Sequence, residues 1–112
     1  MAEEVNFSEW EKLDLRVGKI VKVEEIEGAD KLYKLEVDLG KDLGKRVVCA
    51  GIKEYYKKED LKGRRCILFV NLQPRMMRGV KSEGMILAAD NSRGGIVLIA
   101  PEKDIELGSR IR

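Results

Sequence analysis

Histidine is absent from this 112-residue chain, and cysteine and proline occur only twice each. Without histidine the commonest general acid-base group is missing, and no Ser-His or Cys-His nucleophile pair can be drawn. The two cysteines, Cys49 and Cys66, form no Cys-x-x-Cys pair, which argues against a zinc site. Each lies inside an apolar run, Val47–Ala50 and Cys66–Val70, and reads as a reduced core thiol. No run is long and apolar enough to span a membrane, and Met1-Ala2-Glu3-Glu4 does not open a signal peptide. A soluble, cytoplasmic chain without metal or cofactor is expected. The Asn6-Phe7-Ser8 sequon is then a chance match. Neither internal repeats nor low-complexity segments occur.

What the chain does contain is charge. Charged residues make up 38% and hydrophobic residues 44%, enough apolar material for one compact domain over residues 1–112. The formal net charge of +2 averages over a strong asymmetry. Residues 1–42 carry net −5, residues 43–82 net +8, and residues 83–112 net −1. Between Lys62 and Ser82 there are six bases and no acid: Lys62, Arg64, Arg65, Arg75, Arg78 and Lys81. Such a patch on a near-neutral protein points to a phosphate-bearing partner, unless its bases pair with acids elsewhere in the fold.

The periodicities are those of strands. Ser8 with Glu11 forms a possible capping box for a short N-terminal helix that Phe7 and Trp10 would anchor. Leu15 to Ile26 alternates and is interrupted by Gly18, a candidate bulge or bend. Tyr33, Leu35, Val37 and Leu39 alternate with polar residues, which predicts a half-buried strand with Tyr33 inside. A third strand is predicted at Arg46–Ala50, a short helix within Lys53–Leu61, a fourth strand at Arg65–Val70 and a fifth at Met85–Ala89. This is an all-β order: a five-stranded OB-fold Greek-key barrel, about residues 13–90, with one short helix between strands 3 and 4. A C-terminal β extension, about residues 91–112, either covers a barrel edge or packs against a second copy.

Residues 71–87 join the last two barrel strands and carry Arg75, Arg78 and Lys81 among Pro74, Gly79 and Gly84. The glycines and the proline exclude one continuous helix or strand. A long cationic loop on a rigid scaffold is a plausible holder of a polyanion. In the OB-fold the loop between the fourth and fifth strands flanks the binding face.

Leu13-Asp14-Leu15-Arg16-Val17-Gly18-Lys19-Ile20, Ala29-Asp30-Lys31-Leu32-Tyr33, Val47-Val48-Cys49-Ala50-Gly51-Ile52 and the 71–89 stretch together resemble the tRNA-binding domain of methionyl-tRNA synthetases. Relatives of that domain include free-standing tRNA-binding proteins and a small bacterial secretion chaperone. The resemblance implies an OB-fold that binds tRNA without catalysis, as the C-terminal domain or β subunit of a methionyl-tRNA synthetase. It also implies a homodimer through residues after the barrel. Two departures stand out: Gly28 where the family often has proline, and Met76 where it commonly has lysine, so one expected cation is missing.

Each candidate contact has a structural alternative. Arg75, Arg78 and Lys81 are favoured as phosphate contacts. For Arg16, RNA contact and an ion pair to Asp14 or Asp38 are equally open; for Lys31 the competing partner is Asp30. Asn71 and Ser82 read a base edge or tie down their own loop. Met77 and Met85 either flank a splayed base or fill the core, and the core is favoured for Met85. The leading expectation is a tRNA-affinity module; the rival is a dimeric peptide-binding chaperone on the same scaffold.

Overall fold

A computed structural model describes residues 3–112. Its elements are α1 (Phe7–Glu11), β1 (Leu15–Glu25), β2 (Tyr33–Asp38), β3 (Lys45–Ala50), α2 (Lys58–Leu61), β4 (Arg65–Phe69), β5 (Arg75–Met77), β6 (Val80–Ser82), β7 (Met85–Ile86), β8 (Ala88–Asp90) and β9 (Ile96–Leu98). The main sheet runs β3-β2-β1-β4-β7, with antiparallel pairing throughout. Its two ends meet where the Cys49 amide donates to Ser82 Oγ (3.0 Å) and the Glu83 amide donates to the Val47 carbonyl (2.9 Å). This is the expected OB-type barrel, with its helix between the third and fourth strands.

Two apolar layers share β1. The barrel interior holds Ile20, Leu35, Val37, Leu39, Val48, Leu61, Cys66 and Leu68. Each such side chain contributes roughly 1.5–3 kcal/mol by leaving water. Leu15 and Val17 instead face outward with Ile67, covered by Trp10, Leu107 and Ile111. The C-terminal tail is therefore docked on the barrel. The Gly108 amide donates to the Val17 carbonyl (2.8 Å), the Val17 amide to the Ser109 carbonyl (2.9 Å) and the Ile111 amide to the Leu15 carbonyl (2.8 Å).

Several local expectations change. The helix N-cap is Asn6, paired with Glu9 in a capping box, and not Ser8. Ser8 instead donates its hydroxyl to the Asn6 side chain (2.7 Å), and Phe7 is exposed while Trp10 anchors the turn. The irregularity of β1 falls between Ile20 and Lys22, not at Gly18. Gly18 is required for close packing, because a Cβ there would lie 2.5 Å from Val37 Cγ1. The single fifth strand is split into β7, which pairs with β4, and β8, which pairs with β9. The short helix expected within Lys53–Leu61 occupies its last turn, Lys58–Leu61.

Candidate nucleic-acid interface

The loop between β4 and β7 is not irregular. Arg75 pairs with Ser82, Met76 with Lys81 and Met77 with Val80, leaving Arg78-Gly79 as a two-residue turn. Both turn residues have positive φ, 51° and 82°, the requirement of a type I′ hairpin that matches strand twist. Arg78 is the one non-glycine residue with positive φ among the described residues. An L-residue in that conformation costs about 1–2 kcal/mol.

Alternation along the hairpin sorts its side chains. Met77 and Val80 point inward and pack with Ile26, Ala29, Leu32 and Cys49. Ser82 is buried, accepting from the Cys49 amide and donating to the Gly84 carbonyl (3.3 Å). Met76, 68% exposed, and its cross-strand partner Lys81 point out to solvent. Arg75 is exposed at the base of the hairpin and Arg78 at its tip. Among the described residues, none of Arg75, Arg78 and Lys81 has a carboxylate within 4.0 Å. The hairpin tip also meets the turn after β1: Arg78 and Lys31 line one shallow depression of about 320 Å³ with Gly28, Ala29, Asp30 and Leu32.

Other predicted residues do not join this group. Arg16 lies at the opposite end of β1, its Nε 2.6 Å from Asp14 and its Nη1 donating to the Gly108 carbonyl (3.0 Å). The ion-pair alternative holds for it. The Asn71 side chain accepts from the Asp14 amide (2.8 Å) and donates to the Lys12 carbonyl (2.7 Å), which secures the loop to the N-terminal segment. Ser82, Asn71 and Arg16 thus each bond within the protein itself. Met77 is packing material. Met85, favoured as core, is 44% exposed and lies beside Cys49 to Ile52.

Sequence reasoning missed the outward position of Met76 and the place of Asp30 in the depression. A two-residue x-Gly step between short alternating runs is a hairpin signal that would have given the first. Other bases of the middle segment are committed. Lys53 and Lys58 both pair with Glu25, at 2.7 and 3.4 Å. Hydrogen bonds from Lys53 and then Lys58 hold the Glu25 carboxyl below its ordinary range, and the bond from Glu25 raises the Lys53 ammonium. Among the described residues no acidic or cysteine cluster is placed to hold a metal, and no helix is long and apolar enough to cross a membrane.

A cationic hairpin beside the β1–β2 turn of an OB-type barrel is the arrangement of an oligonucleotide-binding domain. Comparison with known proteins narrows the class. A family model described as "Putative tRNA binding domain" matches residues 15–110, and the chain belongs to that family. It is 48% identical over 110 residues to the methionine–tRNA ligase of Thermococcus onnurineus, aligning 98% of this chain with 15% of that protein. The solved structure of a methionyl-tRNA synthetase-related protein from Pyrococcus horikoshii is 33% identical, with a TM-score of 0.91 over 99% of this chain and all of that one. The chaperone CsaA of Bacillus anthracis is also 33% identical, with a TM-score of 0.89 over 98% of this chain and all of that one. The chain spans about 15% of the length of such ligases.

Proposed function

We propose that this domain receives tRNA on the solvent face of the β5–β6 hairpin and raises the tRNA affinity of a methionine–tRNA ligase in the cytoplasm. The observation that carries the reading is the hairpin's charge: Arg75, Arg78 and Lys81 are exposed on one short hairpin and, among the described residues, have no carboxylate within 4.0 Å. Free cations of this kind replace counterions on the phosphate backbone, a contact that is indifferent to sequence. Lys31 extends the same surface from the facing turn. Met76 offers a flat, polarizable patch between the cations. Met85, on β7 beside the end of β3, is a candidate for packing against an unpaired base. The chain's own part is binding and positioning; the 112 residues act as one module.

A mobility-shift titration with several tRNAs tests this. Arg75→Ala with Arg78→Ala is expected to weaken binding of every tRNA alike. Undiminished binding by that variant contradicts the proposal.

The domain is further proposed to act as a homodimer through its C-terminal extension. The docked tail still leaves Val97, Ile99 and Ile105 exposed, at 62%, 43% and 48%. Exposed strand apolars of this kind favour self-association. Light scattering at micromolar concentration is expected to give twice the chain mass.

The similarity to CsaA supports one second reading, a peptide-binding chaperone. The cationic hairpin favours RNA over an apolar peptide. Competition between tRNA and an unfolded polypeptide separates the two.

A further inference from the structure

The depression between the hairpin tip and the β1–β2 turn has a composition that phosphate binding alone does not explain. It is lined by Gly28, Ala29, Asp30, Lys31, Leu32 and Arg78. Two of these are cations and one is an acid, yet Asp30 has no base within 4.0 Å among the described residues. A surface that served only phosphate would gain nothing from a carboxylate, which repels the anion. The floor is apolar, because Ala29 is buried and Leu32 packs beneath with Ile26, Met77 and Val80. That cluster also locks the turn to the hairpin. The Ala29 amide donates to the Ile26 carbonyl (3.0 Å) and the Lys53 amide to the Lys31 carbonyl (3.2 Å), so the rim is held from both sides. At about 320 Å³ the hollow is at the small end of ligand-sized sites.

We propose that this depression takes one unpaired guanine nucleotide of the bound RNA. The assignment follows from hydrogen-bond chemistry. A carboxylate only accepts. Guanine presents two adjacent donors, N1–H and the N2 amino group, whereas the other three bases present one donor on that edge. Asp30 receives the two guanine donors. The planar Arg78 guanidinium, held at the turn by its positive φ, stacks on the base, as arginine does on splayed bases. Lys31 takes the attached phosphate. The inference rests on the RNA-binding reading above and adds a base preference to it.

The test is a titration of the isotopically labelled 112-residue chain with the four nucleoside 5′-monophosphates and with inorganic phosphate, followed by amide chemical shifts. Guanosine monophosphate is expected to shift residues 28–32 and 78–79 at roughly tenfold lower concentration than the other three nucleotides, the discrimination of one well-made bidentate contact. Asp30→Asn is expected to erase the guanine preference while phosphate still perturbs Lys31. As Asp30 is exposed, this variant keeps the fold. Equal shifts from all nucleotides and from phosphate, no shifts at these residues, or a guanine preference that survives Asp30→Asn would each overturn the inference. If tRNA binds the hairpin with no guanine preference, only this inference fails. If hairpin substitutions leave tRNA binding intact, the underlying reading fails whatever the nucleotides do.

Discussion

The basic residues from Lys45 to Arg65 and those from Arg75 to Lys81 are alike in sequence and unlike in the fold. In the first region most cations are spent on the protein itself. Lys45 faces Glu36 at 3.6 Å, Lys53 and Lys58 share Glu25, and Arg65 pairs with Asp104 at 2.9 Å. Arg46 donates to the Val70 carbonyl (2.6 Å), and Arg64 donates to the Asp60 carbonyl (2.6 Å) while lying over the Tyr56 ring at 5.5 Å. In the second region none of the three cations has a carboxylate within 4.0 Å among the described residues. Sheet register explains the contrast. Strand β2 belongs to the acidic N-terminal part and lies beside β3, so Glu36 and Lys45 meet where Asp38 pairs with Lys45 and Glu36 with Val47. The β5–β6 hairpin packs instead against Cys49 and the turn after β1, and among the described residues no carboxylate comes within 4.0 Å of its cations. A charge count therefore overstates the binding surface, and pairing decides which cations remain available.

The largest effect expected from breaking this contrast is on the hairpin. Arg75→Ala with Arg78→Ala should weaken tRNA binding by roughly a hundredfold, at about 1.5 kcal/mol for each charge-assisted hydrogen bond lost. Thermal unfolding of the same variant should be unchanged or slightly higher, which separates lost contact from lost fold.

Both regions stand on one barrel, and Cys66 helps to set its tolerance to base. Burial pushes the Cys66 thiol up to about 12 from an ordinary 9.0. The folded thiol stays neutral where the unfolded one ionises. Its contribution is fully present below pH 9 and is lost as pH rises toward 12. Between pH 8 and 10.5 the parent should lose about 2 kcal/mol more stability than Cys66→Ala, at about 1.4 kcal/mol per pH unit. Urea unfolding at the two pH values measures this; equal losses in the two proteins would reject it.

A smaller effect concerns the turn. Arg78→Asn keeps a residue that tolerates positive φ and should stabilise the fold by about 1 kcal/mol, while tRNA affinity falls. Gain of stability with unchanged affinity would mean that the strained arginine serves no contact. Smallest of all, Lys53→Ala and Arg65→Ala should change tRNA affinity by less than about twofold, since exposed ion pairs of this kind contribute only about 0–1 kcal/mol and their cations are already engaged.

Much of this was legible in the sequence. The alternation of Tyr33 to Leu39, the two apolar cysteine runs and the short helix before Gly63 fixed the order of a five-stranded barrel. The tail's apolar residues left two uses open, and docking on β1 is one of them. The hairpin was hidden because Pro74, Gly79 and Gly84 read as loop punctuation, although Arg78-Gly79 is a two-residue turn between paired residues. The Arg16–Asp14 pair was open to a sequence reading because the two lie two residues apart, whereas the bonds of Arg16, Asn71 and Ser82 to Gly108, Lys12 and Cys49 were not, because those partners are distant in the chain. Met85 was misjudged for a related reason. Strand parity across Gly84 cannot be followed through a residue at φ 146°, so the side of the barrel it faces is set by the bend and not by alternation.

The most direct test is the salt dependence of tRNA affinity in three proteins: the parent, the variant with Arg75, Arg78 and Lys81 all changed to alanine, and the variant with Lys53 and Arg65 so changed. Each phosphate contact contributes about 0.7–0.9 to the slope of log K against log salt concentration. The hairpin variant should flatten that slope by about 2–3, and the second variant should match the parent. Equal flattening in both variants, or none in the first, would contradict the claim that unpaired hairpin cations receive the RNA.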